Sequence, residues 1–259
     1  MTNMQKNWPY PTLFAHRGGG SLAPENTLAA MRTGYEHSYL AVEFDVKLSR
    51  DNVALLMHDA TLTRTTNGNG CVADTRMSEL DHLDAGAWHS KLFRGEPIPH
   101  FTVVAKYLRA QGMMANVEIK PCPGREIETG TLVGQLCDEL WRDRVVKPLV
   151  SSFSIEALRA AHKAATELPI GVLVKVPAAA DLQLLRELDA VSIHCDYKHV
   201  SAQLVDLFHE NGYRVMTYTV NDPDKVSALR AIGVDGIFTD NLEVMAKHFP
   251  ALLSNAGGS

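Results

Sequence analysis

The chain has 259 residues, 46% of them apolar and 21% charged, which fits one large soluble globular domain. A net charge of -5 argues against a nucleic-acid or anionic-membrane partner, since either would select a basic face. No apolar run is long enough to span a bilayer, and the opening MTNMQKNWPYP lacks the basic start and apolar stretch of a secretory signal. The four cysteines (71, 122, 137 and 195) show no C-x-x-C spacing, so the expectation is a cytoplasmic protein with reduced thiols and no stable membrane association.

From residue 12 onward, short β-branched runs alternate with longer helical patterns. The first strand is expected at Thr12–Ala15 and runs into His16-Arg17-Gly18-Gly19-Gly20. Those glycines let backbone N–H groups approach an anion closely, and Arg17 can grip a phosphate through two bonds. The glycine run alone lacks the spacing of a P-loop or dinucleotide fingerprint. A lone His after a strand is more often a surface or capping residue, and it is Arg17 and the glycines that single out His16.

The second strand, Leu40–Val46, is apolar but carries Glu43 and Asp45 two residues apart, so both carboxylates share a face while Val42, Phe44 and Val46 share the other. The turn Ser49-Arg50-Asp51-Asn52 reverses the chain into a short strand, Val53–Met57, that delivers His58 and Asp59. Like charges side by side on a strand are costly without a cation between them. The stretch from His58 to Phe101 is far longer than the roughly 2–6 residues of an ordinary βα loop. It reads as an insertion with one short helix near Met77–Leu83 that shapes or covers a pocket, unless it is surface decoration.

The third strand, Met114–Ile119, places Asn116, Glu118 and Lys120 on one face. Further strands are expected at Pro148–Ser152, Ile170–Val174, Ala190–Ile193, Arg214–Val220 and Gly236–Thr239, with Ser152, His194, Tyr218, Asn221 and Asp240 at their carboxyl ends. Helices before the later strands end at Gly112, Gly212 and Gly233, and Asp222-Pro223 starts another. Eight such units imply a closed parallel (β/α)8 TIM barrel, here one domain over 1–259 with an insertion at about 60–100; the alternative is an open doubly wound sheet. Strands that are apolar in the middle and titratable at the carboxyl end suit a barrel active site.

Glu43, Asp45 and Glu118 supply oxygen ligands only, which favours a divalent metal of the hard kind, Mg²⁺ or Ca²⁺. The competing explanation is a set of salt bridges to Lys47 and Lys120, each on the same face as its carboxylates. His194 and Cys195 suit core or rim positions. His37, His82, His89, His100, His162, His199, His209 and His248 read as ordinary solvated residues without partners. Trp88 would either wall a substrate or pack the insertion.

Taken together, Ala15-His16-Arg17-Gly18-Gly19, Pro24-Glu25-Asn26-Thr27, Glu43-Phe44-Asp45-Val46, His58-Asp59 and Glu118-Ile119-Lys120 resemble the glycerophosphodiester phosphodiesterase family in order and spacing. Ser151-Ser152-Phe153, Tyr218-Thr219-Val220-Asn221 and the run Gly233–Asp240 extend the resemblance from about Pro9 to Phe249, closest to the compact cytoplasmic bacterial type. The resemblance implies a TIM barrel with an insertion after the second strand. It also implies His16 and His58 as an acid–base pair, Glu43, Asp45 and Glu118 as metal ligands, and Arg17 and Lys120 as phosphate contacts. Tyr218 stands where many members carry Trp, which keeps an aromatic platform but bears on the choice of alcohol. The implied reaction is metal-dependent hydrolysis of a small glycerophosphodiester to glycerol 3-phosphate and choline, ethanolamine or glycerol. A phospholipase-like enzyme on the same barrel and a non-catalytic phosphate-binding module are the rival readings. A homodimer through outer helices is a further expectation for such a barrel, although no apolar stripe marks the interface.

Overall fold

The period-two alternation of Ala41–Leu48 decides how the second strand sits. Val42, Phe44 and Val46 join the apolar layer beneath the helices, and Glu43, Asp45 and Lys47 take the opposite face. The computed structural model, which describes residues 8–254, makes this strand part of a closed barrel. Its parallel strands are β1 (Leu13–Ala15), β2 (Ala41–Leu48), β4 (Met114–Ile119), β5 (Leu149–Ser152), β6 (Ile170–Val174), β7 (Ser192–Asp196), β8 (Arg214–Tyr218) and β9 (Gly236–Thr239), with β3 (Ala54–Leu56) antiparallel to β2. The order is β1-β9-β8-β7-β6-β5-β4-β2, and pairing of Ala15 with Val42 closes the ring. That closure makes the fold the expected (β/α)8 barrel and excludes the open sheet. Most of the opening stretch (residues 1–7) and most of the small-residue tail (255–259) lie outside the described residues.

The helices are α1 (Leu28–Glu36), α2 (Met77–Leu80), α3 (Phe101–Gln111), α4 (Glu126–Leu140), α5 (Ile155–Ala164), α6 (Asp181–Glu187), α7 (Ala202–Glu210), α8 (Pro223–Ala231) and α9 (Leu242–His248). Gly112, Gly212 and Gly233 take positive φ where the helices before β4, β8 and β9 end, as expected. Asp222 caps α8 by accepting from the Asp224 N–H, with Pro223 in the first turn. Among the described residues, no helix is long and apolar enough to cross a membrane.

One apolar layer separates strands from helices, and a second, built from Tyr10, Phe14, Ala41, Leu149, Val191, Met216 and Phe238, plugs the barrel interior. Phe14 and His16 share the inward face of the first strand, so the plug lies one step below the polar rim. Residues 58–100 bury Leu62, Val72, Met77, Leu80, Ala85 and Ile98 in a small core shared with Leu55, Met57 and Cys122. The Asp84 carboxylate gathers the N–H groups of Gly86, Ala87 and Gly95, which fixes a segment with little regular structure.

Boundaries differ from expectation in informative places. β7 runs Ser192–Asp196, not Ala190–Ile193, because the preceding turn extends through Asp189 at positive φ; His194 and Cys195 are therefore buried inside the strand. β2 extends to Leu48 because β3 pairs with its last residues, and α2 stops at Leu80. Trp88 is exposed on the insertion, its indole N–H donating to the Ala85 carbonyl, and does not line the central cavity.

α4 and α5 pack through small residues: Gly130 and Gly134 face the backbone of Ala157 and Ala161, and a Cβ on Gly130 would strike the Ala157 carbonyl oxygen. Gly130→Ala should therefore cost about 1–3 kcal/mol through overpacking. The shift of a urea midpoint reads it, and Gln135→Ala on the exposed side of α4 should stay within about 0.5 kcal/mol.

Candidate active site

The register of two neighbouring strands builds the acidic centre. Asp45 pairs across from Glu118, and Glu43 from Asn116, so the carboxylates of β2 and β4 point into the same end of the barrel. Glu43, Asp45 and Glu118 are all buried, with ligand oxygens within 4.8 Å of one another. The neighbours of these oxygens are few and directional. The Arg17 N–H donates to Glu43 Oε2 (2.9 Å), and Asn26 both donates to Asp45 Oδ2 (2.8 Å) and accepts from the Asp45 N–H (2.9 Å). Arg17 and Asn26 both hold positive φ, a conformation disfavoured for non-glycine residues and kept here beside the carboxylates they serve.

Lys120 Nζ reaches Glu118 Oε1 at 2.7 Å and Asp45 Oδ1 at 3.5 Å, so part of the competing salt-bridge picture is real. Lys47 takes no part in it: its ammonium donates to the Lys120 carbonyl at 2.7 Å and leaves the space between Glu43 and Asp45 free of a lysine bridge. Two cations thus face three carboxylates, and one of them, Arg17, is shared with Glu25. Burial first, then the Asp45 charge, pushes the carboxyls of Glu43 and Glu118 upward. Burial acts on Asp45 in the same sense, but Lys120 and Arg17 outweigh it and hold Asp45 low. A buried, oxygen-only donor set with unmet negative charge fits a hard divalent cation.

Two histidines flank this centre, and each is anchored by a carboxylate. His16 Nδ1 lies 2.6 Å from Asp240 Oδ1, and its Nε2 stands 3.8 Å from Glu43 Oε2. Asp240 follows β9, which is paired with β1 through Ala15 and Thr239, so barrel closure brings it to His16. His58 Nδ1 lies 2.7 Å from Asp59 Oδ1. An ionised carboxylate only accepts, so Nδ1 carries the hydrogen in both rings and Nε2 is left available. Burial alone would lower the pKa of His16, but Asp240 and Glu43 reverse that; for His58 burial wins and the shift is downward.

The cavity these groups line holds about 190 Å³, below the roughly 300–1,000 Å³ of drug-sized sites and suited to a small polar ligand. Its acidic and basic wall comes from His16, Arg17, Glu43, Asp45, His58, Glu118 and Lys120, and its other wall from Phe153, Leu173, Tyr218, Thr219 and Phe238. Every residue predicted for the site therefore lines one cavity. The Tyr218 hydroxyl is committed to the Val174 carbonyl (2.8 Å), which leaves its ring, edge-on to Phe153, to face a ligand. His194 is buried against Ser192 and Phe238, where burial lowers its pKa to about 3 and keeps it neutral. Between His58 and Asn116 no residue lines the cavity, so the insertion sits beside it and does not cover it.

The model of the glycerophosphoryl diester phosphodiesterase family matches residues 16–244. The chain belongs to this family. A glycerophosphodiester phosphodiesterase of Caldanaerobacter subterraneus subsp. tengcongensis is 32% identical over 90% of this chain and 95% of its own. Among solved structures, an Oleispira antarctica phosphodiesterase in complex with the product sn-glycerol-3-phosphate superimposes with a TM-score of 0.88 at 32% identity, covering 93% of this chain and 97% of that one. A glycerophosphodiester phosphodiesterase from Agrobacterium tumefaciens gives a TM-score of 0.79 at 28% identity, covering 92% and 99%.

Several polar partners in this phosphodiesterase were not assigned from sequence: Asp240 and Asp59 on the histidines, Asn26 on Asp45, and Glu25 and Arg64 around Arg17. Asp59 directly follows His58, and Asp240 ends the strand that barrel closure sets beside β1, so both carried a readable signal. Arg64 carried none. Of the histidines read as lacking partners, His209 in fact pairs with Asp235 (2.7 Å), His100 with Asp81 (2.9 Å) and His37 with Glu243 (3.8 Å), while His89 meets the Ser21 carbonyl (3.1 Å) and His248 the Val244 carbonyl (2.8 Å).

If the three carboxylates repel one another as the burial implies, Glu43→Gln should stabilise the chelator-treated protein at neutral pH. The gain is at most about 3 kcal/mol per neighbouring carboxylate, for full charges within 4.8 Å at an effective dielectric near 20. Lys120→Met should shift the thermal midpoint in the opposite direction, by removing the cation nearest to Glu118 and Asp45.

Proposed function

We propose that this cavity hydrolyses glycerophosphodiesters to glycerol 3-phosphate and an alcohol, with a divalent cation held by Glu43, Asp45 and Glu118 and with His16 and His58 moving the protons. The observation that carries this reading is the convergence, in one cavity, of a buried carboxylate trio, two carboxylate-anchored imidazoles and the cationic side chains of Arg17 and Lys120. The product named for the Oleispira antarctica structure supports glycerol 3-phosphate as the product of this chain as well.

A phosphodiester resists hydrolysis because its anionic oxygens repel a nucleophile and its alkoxide leaves poorly. A divalent cation, when bound, supplies positive charge to the phosphoryl oxygens. Oxygen-only ligands select Mg²⁺ or Ca²⁺ for that position. Arg17 and Lys120 bind and neutralise the phosphate from the protein side, where low dielectric strengthens the attraction. Asp240 and Asp59 orient the imidazoles so that each offers Nε2 to the reacting centre. One ring takes the proton of the attacking hydroxyl, and the other gives a proton to the departing alkoxide oxygen. The same division serves whether water attacks directly or the glycerol 2-hydroxyl attacks first and water opens the cyclic ester.

The apolar wall suits the alcohol half. Tyr218 and Phe153 present aromatic surface, and because Lys120 already lies 5.5 Å from the Phe153 ring centre, the Tyr218 ring is the open cation–π partner for a choline headgroup. All four cysteines are free thiols, in keeping with a reducing, cytoplasmic setting.

Incubation with glycerophosphocholine should release glycerol 3-phosphate; EDTA should abolish the activity, and Mg²⁺ or Ca²⁺ should restore it. Turnover indifferent to chelation would remove the metal from the reading. His16→Ala and His58→Ala should each lower kcat by about 10²–10⁴-fold, measured under saturating substrate.

A further inference from the structure

Arg64 lies on the insertion, and nothing above gives it work to do. Its guanidinium is engaged on both sides. Nε and Nη2 donate to Asp59 Oδ2 (2.6 Å) and Oδ1 (3.1 Å), while Nη1 and Nη2 donate to Glu25 Oε2 (2.8 Å) and Oε1 (2.7 Å). Each of those carboxylates has a second partner in the cavity wall. Asp59 Oδ1 holds His58 Nδ1, and Glu25 Oε1 holds Arg17 Nη1 at 2.6 Å. One side chain outside the lining of the central cavity therefore stands behind two that line it.

The local chain is built to place it. Leu62 and Thr65, on either side of Arg64, are buried, Leu62 in the core of the insertion, and the Thr66 N–H and hydroxyl both return to the Leu62 carbonyl. The Arg64 side chain itself is 43% exposed, so the ion pairs contribute little to stability. What bidentate geometry on both sides provides is orientation: each carboxylate plane is fixed, and with it the ring of His58 and the guanidinium of Arg17.

We propose that Arg64 is a positioning residue that aligns His58 through Asp59 and Arg17 through Glu25, and that holding it there is the function of the insertion. This rests on the roles given above to His58 and Arg17. Because the arms are separate, they predict separate kinetic effects. The Asp59 arm acts on proton transfer and reads in kcat, and the Glu25 arm acts on phosphate binding and reads in KM.

The test is a pair of double-mutant cycles on the metal-loaded enzyme with glycerophosphocholine, restricted to variants that retain a cooperative thermal transition. Arg64→Ala should lower kcat and raise KM, each by about tenfold, a size expected for coupled neighbours. In an Asp59→Ala background, removing Arg64 should leave kcat unchanged while still raising KM; in a Glu25→Ala background the reverse should hold. Arg64→Lys, with one ammonium unable to span both carboxylates, should recover at most one of the two effects. Wild-type kcat and KM in folded Arg64→Ala, or double mutants whose losses multiply, would overturn the proposal. A readout independent of turnover is the ¹⁵N spectrum of the His58 ring. It should show a single Nδ1–H tautomer in the wild type and a mixture in Arg64→Ala or, if that variant does not fold, in Arg64→Met. An unchanged tautomer in those variants sinks the inference, whereas a wild type inactive on glycerophosphocholine but with the tautomer shift sinks only the functional reading.

Discussion

Burying three carboxylates within 4.8 Å of one another is the constraint around which the rest of this protein is arranged. In low dielectric their mutual repulsion is large compared with the marginal stability of a folded chain. The surroundings meet it by several means at once. Arg17 contributes its backbone N–H and its guanidinium, Asn26 makes two bonds to Asp45, and Lys120 bridges Glu118 and Asp45. Arg17 and Asn26 both adopt left-handed backbone to do so, an expense that an apolar barrel mouth would not require.

The barrel makes such a centre affordable. Its interior below the rim is filled by Phe14, Met216, Phe238 and their neighbours, which form a rigid platform, and its strands deliver side chains from several directions to a single point. Parallel register aligns Asp45 with Glu118 without any loop contribution, so the carboxylate trio sits on paired barrel strands. His16, Arg17 and His58 come instead from the strand ends and are braced from behind by Asp240, Glu25 and Asp59. Strand-borne carboxylates and braced imidazoles and guanidinium together make a preorganised polar site, whose groups are held in place by partners of their own.

Much of this was legible in the chain. Alternation on β2 placed Glu43 and Asp45 inward, glycines at 112, 212 and 233 marked helix ends, and the motif order identified the family and every predicted site residue that lines the cavity. The failures have two causes. His194 was left undecided because a strand shift of two or three residues moves it from rim to core, and the pattern around Ala190 is apolar in either register. His100 and His209 were read as unpartnered because Asp81 and Asp235 meet them only after the chain has folded back.

By itself the sequence determined the barrel, the family and the faces on which Glu43, Asp45 and Glu118 lie, because period-two patterning and motif spacing are local properties of the chain. Only the tertiary structure decided how these groups are held. His16 and Asp240 are 224 residues apart and meet because β1 and β9 close the ring. Arg64, in a segment with no regular pattern, reaches Glu25 across 39 residues through the packing of a small core that no periodicity announces. Lys47 and Lys120 were equivalent candidates on paper, and packing alone turned one to a backbone carbonyl and the other to the carboxylates.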